Sequence, residues 1–246
     1  MELDFEVNLL VAIIVVISTV SQALFGVGIL IWGTPVLMLL NYSFTQALGI
    51  LLPISLFISC FQFAPYIKEL DFILLGKFIK FSIPGLIIGL LIAVSLQLDL
   101  SIVVASMLLI ALFMRRESTS TLLKHLVGKY DGFLIFFIGI VHGVSNLGGS
   151  LLVVRASLEK YSKNQYRTIV SAIYFIFAFS QLTILLIENG TLMVSVNYIF
   201  ISSGVYFIAN SVILPKINTK LFDGLINTLI LMMAVFLFAK ALPKFK

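Results

Sequence analysis

Two groups of polar side chains interrupt long apolar stretches of this sequence, and each group lies on one face of a predicted helix. The groups are Ser18, Ser21 and Gln22, and then His142, Ser145 and Asn146. Spacings of three and four residues bring side chains together on a helix surface. Hydroxyl, amide and imidazole groups can donate hydrogen bonds to a small polar ligand or an anion. Because such groups are costly in lipid, we interpret them as candidates for ligand binding.

Each polar group is followed by glycines that are expected to break the helix. Gly26 and Gly28 follow the first group, and Gly148, Gly149 and Ser150 follow the second. Glycine lets the chain turn sharply and lets the backbone approach a ligand closely. A helix that starts directly after such a break points its first N–H groups and its positive end at the break, where an anion would be stabilised.

Glycines can also serve only to bring two helices close together. This is the interpretation we give to Gly85 and Gly89, and to Gly139 and Gly143, whose spacing is the small-xxx-small pattern. For the two breaks, their repetition beside polar groups favours a binding site.

Three ionisable residues, which are His142, Arg155 and Arg167, lie in or near the apolar stretches. His142 is either a proton carrier, since an imidazole titrates near neutral pH, or a structural residue bonded to a helix carbonyl. Arg155 is either a counter-charge for an anion or a side chain that extends to the membrane interface, and we favour the second. Arg167 begins a long apolar segment, where a preference for basic residues on the inner side explains it without a function.

Signals typical of enzymes are absent from the sequence. It has no H-E-x-x-H, G-x-S-x-G or P-loop motif. The single cysteine, Cys60, and the two histidines form no metal-ligand pattern. An intramembrane enzyme would need His142 paired with Ser145, and nothing else completes a catalytic set. We therefore predict a protein that is not an enzyme, has no cofactor or metal, and does not bind nucleic acid.

Composition predicts a membrane protein of the all-α class. The 246 residues are 61% hydrophobic and 11% charged, against about 25% charged in soluble domains. The continuous apolar runs fit transmembrane helices and not the alternating pattern of a barrel. These runs lie at roughly 7–24, 27–40, 43–66, 71–96, 100–114, 132–146, 149–158, 168–187, 193–214 and 222–242. The acidic leader of Glu2, Asp4 and Glu6 argues against a signal peptide, so we expect a multi-pass protein of the cell membrane that keeps its first segment.

The two broken segments occupy matching places in two halves of the chain. Gly28 and Gly148 are 120 positions apart, and each broken pair is followed by three further apolar segments. We predict one structural domain made of a first membrane repeat at 1–114, a cytoplasmic linker at 115–131 and a second membrane repeat at 132–246. Glycine-interrupted short segments in corresponding positions point to the binding site of a transporter.

Basic residues predict how the short pairs enter the membrane. If each pair is a hairpin that enters and leaves on one side, the two repeats are inverted, and every Lys and Arg except Lys240, Lys244 and Lys246 lies inside. If each pair is one broken span, more basic residues lie outside. The positive-inside rule favours hairpins, with both termini outside.

The motifs at the breaks resemble those of a known family. Gly26-Val27-Gly28 followed by Pro35 resembles the G-x-G-G-G…P signature of the TauE/SafE sulfite exporter family, with Ile29 and Leu30 in place of the later glycines. The stretch from Gly143 to Gly148-Gly149-Ser150 resembles the family's G-x-x-x-x-G-G-P element, with serine for proline. Residues 163–168, which include Arg167, are similar to its K-x-x-F-R-x-T stretch. The likeness covers nearly the whole chain.

The resemblance implies a permease for a small sulfur-containing anion such as sulfite or an organosulfonate, moved by alternating access. The gradient of the substrate or of a coupling ion, protons included, would supply the energy. The resemblance marks Gly26, Gly28, Gly148, Gly149 and Arg167 as substrate-binding, with Pro35 and Gly143 as structural elements of the motifs. The polar groups at the breaks, and not the resemblance, add Gln22, His142, Ser145, Asn146 and Ser150 to the residues expected to bind substrate. The alternative is a membrane scaffold or accessory subunit of an envelope pathway that transports nothing.

Overall fold

The computed structural model describes residues 8–96, 101–114, 117–159, 161–189 and 196–241, and these residues are almost entirely helical. The helices are α1 (Leu9–Phe25), α2 (Ile29–Leu39), α3 (Phe44–Phe63), α4 (Phe72–Leu96), α5 (Ser101–Met114), α6 (Glu117–Ser145), α7 (Gly148–Ser157), α8 (Lys163–Asn189), α9 (Val196–Ile208) and α10 (Thr219–Ala241). A 3₁₀ turn, Ala64–Glu69, extends α3, while a π turn, Ala209–Ile213, and a 3₁₀ turn, Leu214–Lys216, extend α9. The predicted all-α fold class is confirmed.

Four of the described helical segments are long and apolar enough to cross a membrane. They are Phe44–Glu69, Phe72–Ser95, Lys163–Glu188 and Val196–Lys216. Large apolar side chains such as Phe133, Ile187 and Phe200 remain more than 70% exposed on the outer surface. An apolar outer surface of this kind suits contact with lipid and agrees with a multi-pass membrane bundle.

The predicted linker is itself part of a helix. Helix α6 begins at Glu117 and continues to Ser145, with non-helical backbone angles at Tyr130 (φ −125°, ψ 25°) marking where the linker ends and the apolar arm begins. The acidic leader, Arg115, Arg116, Lys160, Lys244 and Lys246 lie outside the described residues. The assignment of the repeats and the orientation in the membrane therefore stay predictions.

The first short pair turns at the predicted Gly26, and the second turns at Asn146, just before the predicted Gly148 and Gly149. Helix α1 ends at Gly26, whose φ of +82° is left-handed, and α2 follows from Gly28. Helix α6 ends before Asn146, whose φ of +62° is also left-handed, and α7 follows. Glycine and asparagine tolerate this conformation better than other residues. Gly26 and Asn146 are themselves 120 positions apart, so the offset that aligns the glycines also aligns the turns.

The second pair folds back on itself as a hairpin. Arg155, near the end of α7, donates from Nε to Oδ1 of Asp131 at 2.8 Å, and Asp131 stands at the start of the apolar arm of α6. The two ends of residues 131–157 are thus held side by side. This geometry fits the re-entrant arrangement that the basic residues favour.

Helices from opposite halves pack against each other. The main pairs are α4 with α6, α3 with α8, α5 with α10, and α1 with α9. Adding five to each helix number, and counting on from α10 to α1, converts the pair α4–α6 into α9–α1. The pairs α3–α8 and α5–α10 convert into themselves. This exchange is what a two-fold relation between two repeats produces.

Glycines set the closest helix contact, between α4 and α6. A Cβ atom added at Gly139 would lie 2.0 Å from the carbonyl oxygen of Ser82, and one at Gly143 would lie 2.2 Å from that of Leu86. Gly85 and Gly89 approach α6 as closely. The packing interpretation of these four glycines is confirmed.

Candidate functional site

The first break, between α1 and α2, is closed by amide side chains. Gln22 accepts a hydrogen bond at Oε1 from the amide of Ile29, at 3.1 Å, and donates from Nε2 to Ser59 Oγ at 2.9 Å. Gln62 Nε2 donates to the carbonyl oxygen of Gln22 at 3.0 Å. Gln22 therefore satisfies a first-turn N–H of α2, where a helix start lacks internal partners.

Gly28 has no space for a side chain at this break. A Cβ atom there would lie 2.4 Å from the amide nitrogen of Gln22 and 2.7 Å from the carbonyl oxygen of Ser18. At the second break, a Cβ atom at Gly148 would lie 2.8 Å from the amide nitrogen of His142 and 2.6 Å from the carbonyl oxygen of Ile138. Gly148, His142 and Ile138 lie 120 positions after Gly28, Gln22 and Ser18. Both turns therefore have the same local geometry.

The second break, between α6 and α7, is organised around Asn146. Its Nδ2 donates to Thr34 Oγ1 at 3.0 Å, and its Oδ1 accepts from Gln181 Nε2 at 2.8 Å. Thr34 belongs to α2, which means that a side chain at the second break is bonded directly to the first hairpin. The contact joins the two hairpins through buried polar atoms.

His142 and Tyr174 lie beside Asn146 with unused hydrogen-bonding capacity. His142 is fully buried, its ring centroid is 5.4 Å from that of Tyr174, and neither ring nitrogen has a described partner. The Tyr174 hydroxyl is buried and also has none. Buried polar atoms are normally hydrogen-bonded, so a cluster of unpartnered ones indicates a place for a ligand, water or proton.

Arg167 places a buried cation at the first break. Its Nη2 donates to the carbonyl oxygen of Ala23 at 2.6 Å and to Asn210 Oδ1 at 3.0 Å, while Nε has no described partner. Arg167 is 5% exposed, and no carboxylate among the described residues forms an ion pair with it. The π turn of Ala209–Ile213 supplies Asn210, and such turns are frequent at functional sites.

One face of α8 lines both breaks. Arg167 and Val170 contact the first break, while Tyr174 and Gln181 contact the second. Arg167 and Gln181 are separated by about 21 Å along a helix of this spacing. The candidate residues thus form two polar clusters at different depths along α8, connected by the Asn146–Thr34 hydrogen bond.

The predicted site residues divide between these two clusters. Gln22, Gly26, Gly28 and Arg167 lie at the first break, and His142, Ser145, Asn146, Gly148, Gly149 and Ser150 lie at the second. Ser145 and Ser150 bond mainly to backbone, through Val141 O and Leu147 O. Gly149 abuts Tyr174, whose hydroxyl would lie 2.2 Å from an added Cβ atom.

The two motif residues have structural positions. Pro35 lies inside α2 and is buried, and its missing N–H leaves the carbonyl of Ile31 without a helical donor. Gly143 packs against α4, as described above.

Sequence reasoning missed the partners that complete the clusters. These residues are Thr34, Ser59, Gln62 and Gln181. Gln62 and Gln181 could have been found, because an amide inside a long apolar run is costly unless it has a purpose. The hydroxyl residues give no such signal, since they commonly bond to their own helix.

Arg155 is not available as an anion counter-charge. Its guanidinium is 3% exposed and bonds to Asp131 and to Glu159, while Asp131 also pairs with Lys77 at 2.8 Å. The preferred prediction, extension to the membrane interface, did not foresee that Arg155 is buried and paired with these two carboxylates. The carboxylates of Asp131 and Glu159, rather than water, compensate the charge of the Arg155 guanidinium.

A second contact stands close to this network, outside the spans. Tyr161 donates from its hydroxyl to Asp71 Oδ2, and the amides of Ile73 and Leu74 donate to Oδ1. Partial burial raises the pKa of Asp71, but these hydrogen bonds and the charge of Lys77 outweigh it, so the pKa is lowered. Asp71 therefore stays ionised and caps the start of α4.

An all-helical membrane bundle with two broken hairpins and matched turns is typical of secondary transporters with internal repeats. Residues 10–240 match the family model of the sulfite exporter TauE/SafE. The chain belongs to this family, as the motifs at the breaks predict, and membership implies a membrane transporter of the sulfite or anion type. No curated protein and no solved structure matches the chain.

Proposed function

We propose that the protein is a secondary transporter of a small sulfur-containing anion, such as sulfite or an organosulfonate, and that it works by alternating access. The main support is Arg167, a buried cation at the first break whose described partners are neutral oxygens. An uncompensated buried charge is strongly unfavourable, so a site of this kind favours an anionic ligand.

The anion would contact the two clusters in turn, because they are about 21 Å apart along α8. Arg167 would supply charge, and the amides of Gln22 and Asn146 would supply hydrogen bonds after giving up their present partners. The starts of α2 and α7 would add the positive ends of two helix dipoles. Such recognition needs no cofactor, and its hydrogen-bond donors suit oxygen atoms that carry a negative charge.

Alternating access follows from the way the hairpins are held. Asn146 bonds to Thr34 of the first hairpin and to Gln181 of α8, so movement of one repeat against the other must exchange these bonds. An anion that takes over the donors of Asn146 and Gln22 would loosen the closed arrangement. Binding and opening would thereby be coupled.

The test is counterflow in proteoliposomes, with purified protein and labelled sulfite or isethionate inside and outside. Arg167→Gln keeps hydrogen-bond donors but removes the charge, and Asn146→Gly removes the amide while keeping a residue that suits the left-handed turn. We expect each to lower counterflow by about 10–100-fold, the loss of one hydrogen bond to a charged group.

Ser211→Ala is a matched control, because Ser211 is exposed and bonds to Phe207 O in its own helix. It should transport as the wild type does. If Arg167→Gln and Asn146→Gly also transport normally, the assigned site is wrong. If the wild type exchanges no anion of this class, the scaffold function becomes the better interpretation.

A further inference from the structure

The two breaks differ in chemistry although they share one geometry. The first break has the permanent cation Arg167, whereas the second has the imidazole of His142 and the hydroxyl of Tyr174. At the position matching His142, the first break has Gln22, which cannot titrate. A duplicated turn has thus acquired a titratable group in one copy.

We propose that His142, together with Tyr174, is the proton-binding site of the transporter and that it makes transport of the anion proton-coupled. This inference rests on the proposed transport function and adds the coupling ion. Both residues are fully buried, the His142 ring contacts the rings of Tyr174 and Phe177, and the polar atoms of both side chains have no described partner. Neither ring nitrogen makes a close hydrogen bond, although Gln181 of α8 lies near enough to interact with the imidazole.

Among the residues that the structure describes, no charged side chain is seen in contact with His142. Tyr174 is the titratable side chain that faces it from α8, and Gln181, also on α8, is an uncharged neighbour. Helices α2 and α5 have no ionisable residue. Lys77 of α4 and Arg155 of α7 both pair with Asp131, at the other end of the second hairpin. Asp131 is about 16 Å from His142 along α6 at the usual helix rise.

Coupling follows from the cost of charge in this place. An imidazolium buried among aromatic rings and helix backbone is unfavourable alone, and an anion nearby compensates it. The proton enters from water on one side, occupies Nδ1 or Nε2 of His142, and leaves to water on the other side with the anion. No covalent bond changes, and one proton with one monovalent anion carries no net charge.

The experiment uses isethionate, a sulfonate that stays ionised throughout the pH range of the assay. In proteoliposomes, an acidic exterior should drive accumulation in the wild type, and a trapped pH dye should report proton entry with it. His142→Gln should lose gradient-driven accumulation and proton entry, whatever counterflow it retains. His125→Gln, the same change at the only other histidine, should retain all three.

Accumulation that ignores the pH gradient in the wild type, or that survives in His142→Gln, overturns the proposal while leaving the transport function intact. Absence of counterflow in the wild type instead refutes the proposed function itself. If His142→Gln loses counterflow as well, ¹⁵N-histidine NMR of the wild type decides. A His142 signal that changes protonation between acidic and neutral pH when isethionate binds supports the site, and an unchanging signal refutes it.

Discussion

Arg155 and Arg167 are both buried arginines, yet their neighbours give them different tasks. Arg155 is surrounded by two carboxylates and joins the ends of the second hairpin, whereas Arg167 contacts a backbone carbonyl and an amide oxygen. Removing one partner of a buried ion pair leaves the other charge uncompensated. The two residues should therefore respond differently to the same substitution.

We expect Arg155→Gln to lower the thermal unfolding midpoint in detergent by about 6–12 °C, which corresponds to about 3 kcal/mol for a chain of this size. Arg167→Gln should lower it by less, because neutral partners are left behind. Fluorescence-detected size-exclusion chromatography after heating measures both. Equal midpoints for the two variants would contradict the assignment of Arg155 to stability.

The contact between α4 and α6 depends on four glycines, because no side chain fits at these positions. Gly139 and Gly143 face carbonyl groups of α4 at distances that no side chain can occupy, while Gly76, on the same α4, has nothing within 4 Å of an added Cβ atom. Small residues drive helix association in membranes because they allow this approach.

Gly139→Ala should therefore destabilise the protein strongly, since the helices must separate to admit the methyl group. Gly76→Ala is the matched control and should be neutral or slightly stabilising, because alanine favours a helix by about 1 kcal/mol over glycine. Thermal midpoints of the two variants make the comparison. A Gly139→Ala protein as stable as the control would show that the contact is looser than described.

Sequence patterns predicted the helices and their breaks well, because lipid requires long apolar helices and because few residues adopt a left-handed turn. The breaks at Gly26 and Asn146, and the packing of Gly139, follow from such local rules. The pairing of Arg155 with Asp131 and of Asn146 with Thr34 did not, because each joins residues that are distant in sequence. Side-chain chemistry alone does not specify which distant partner is chosen.

The whole molecule is predicted to present the two hairpins from opposite sides of the membrane. Asn41, after α2, and Lys129, before the apolar arm of α6, are both exposed and should lie on opposite sides. The contact of Asn8 with Tyr198, where the amide of Asn8 donates to the hydroxyl at 3.0 Å, places the start of α1 beside α9. The positive-inside rule puts Lys129 inside.

Cysteine labelling in intact cells can test this orientation. In a Cys60→Ser background, an impermeant maleimide should label Asn41→Cys from outside and should label Lys129→Cys only after the cells are opened. Glu159→Cys, at the far end of the second hairpin, should behave as Lys129→Cys does. Labelling of Asn41 and Lys129 from the same side would refute the inverted arrangement.

The exchange of partners between halves has a consequence for biosynthesis. Because α1, α3 and α4 find their main neighbours in α9, α8 and α6, the portion that leaves the ribosome first lacks most of its final contacts. Its amide side chains and its contact glycines lack their partners in the bilayer until the second half of the chain is inserted. We expect neither half to be stable when it is expressed alone. Two fragments that are divided in the linker and translated separately in the same cell should assemble.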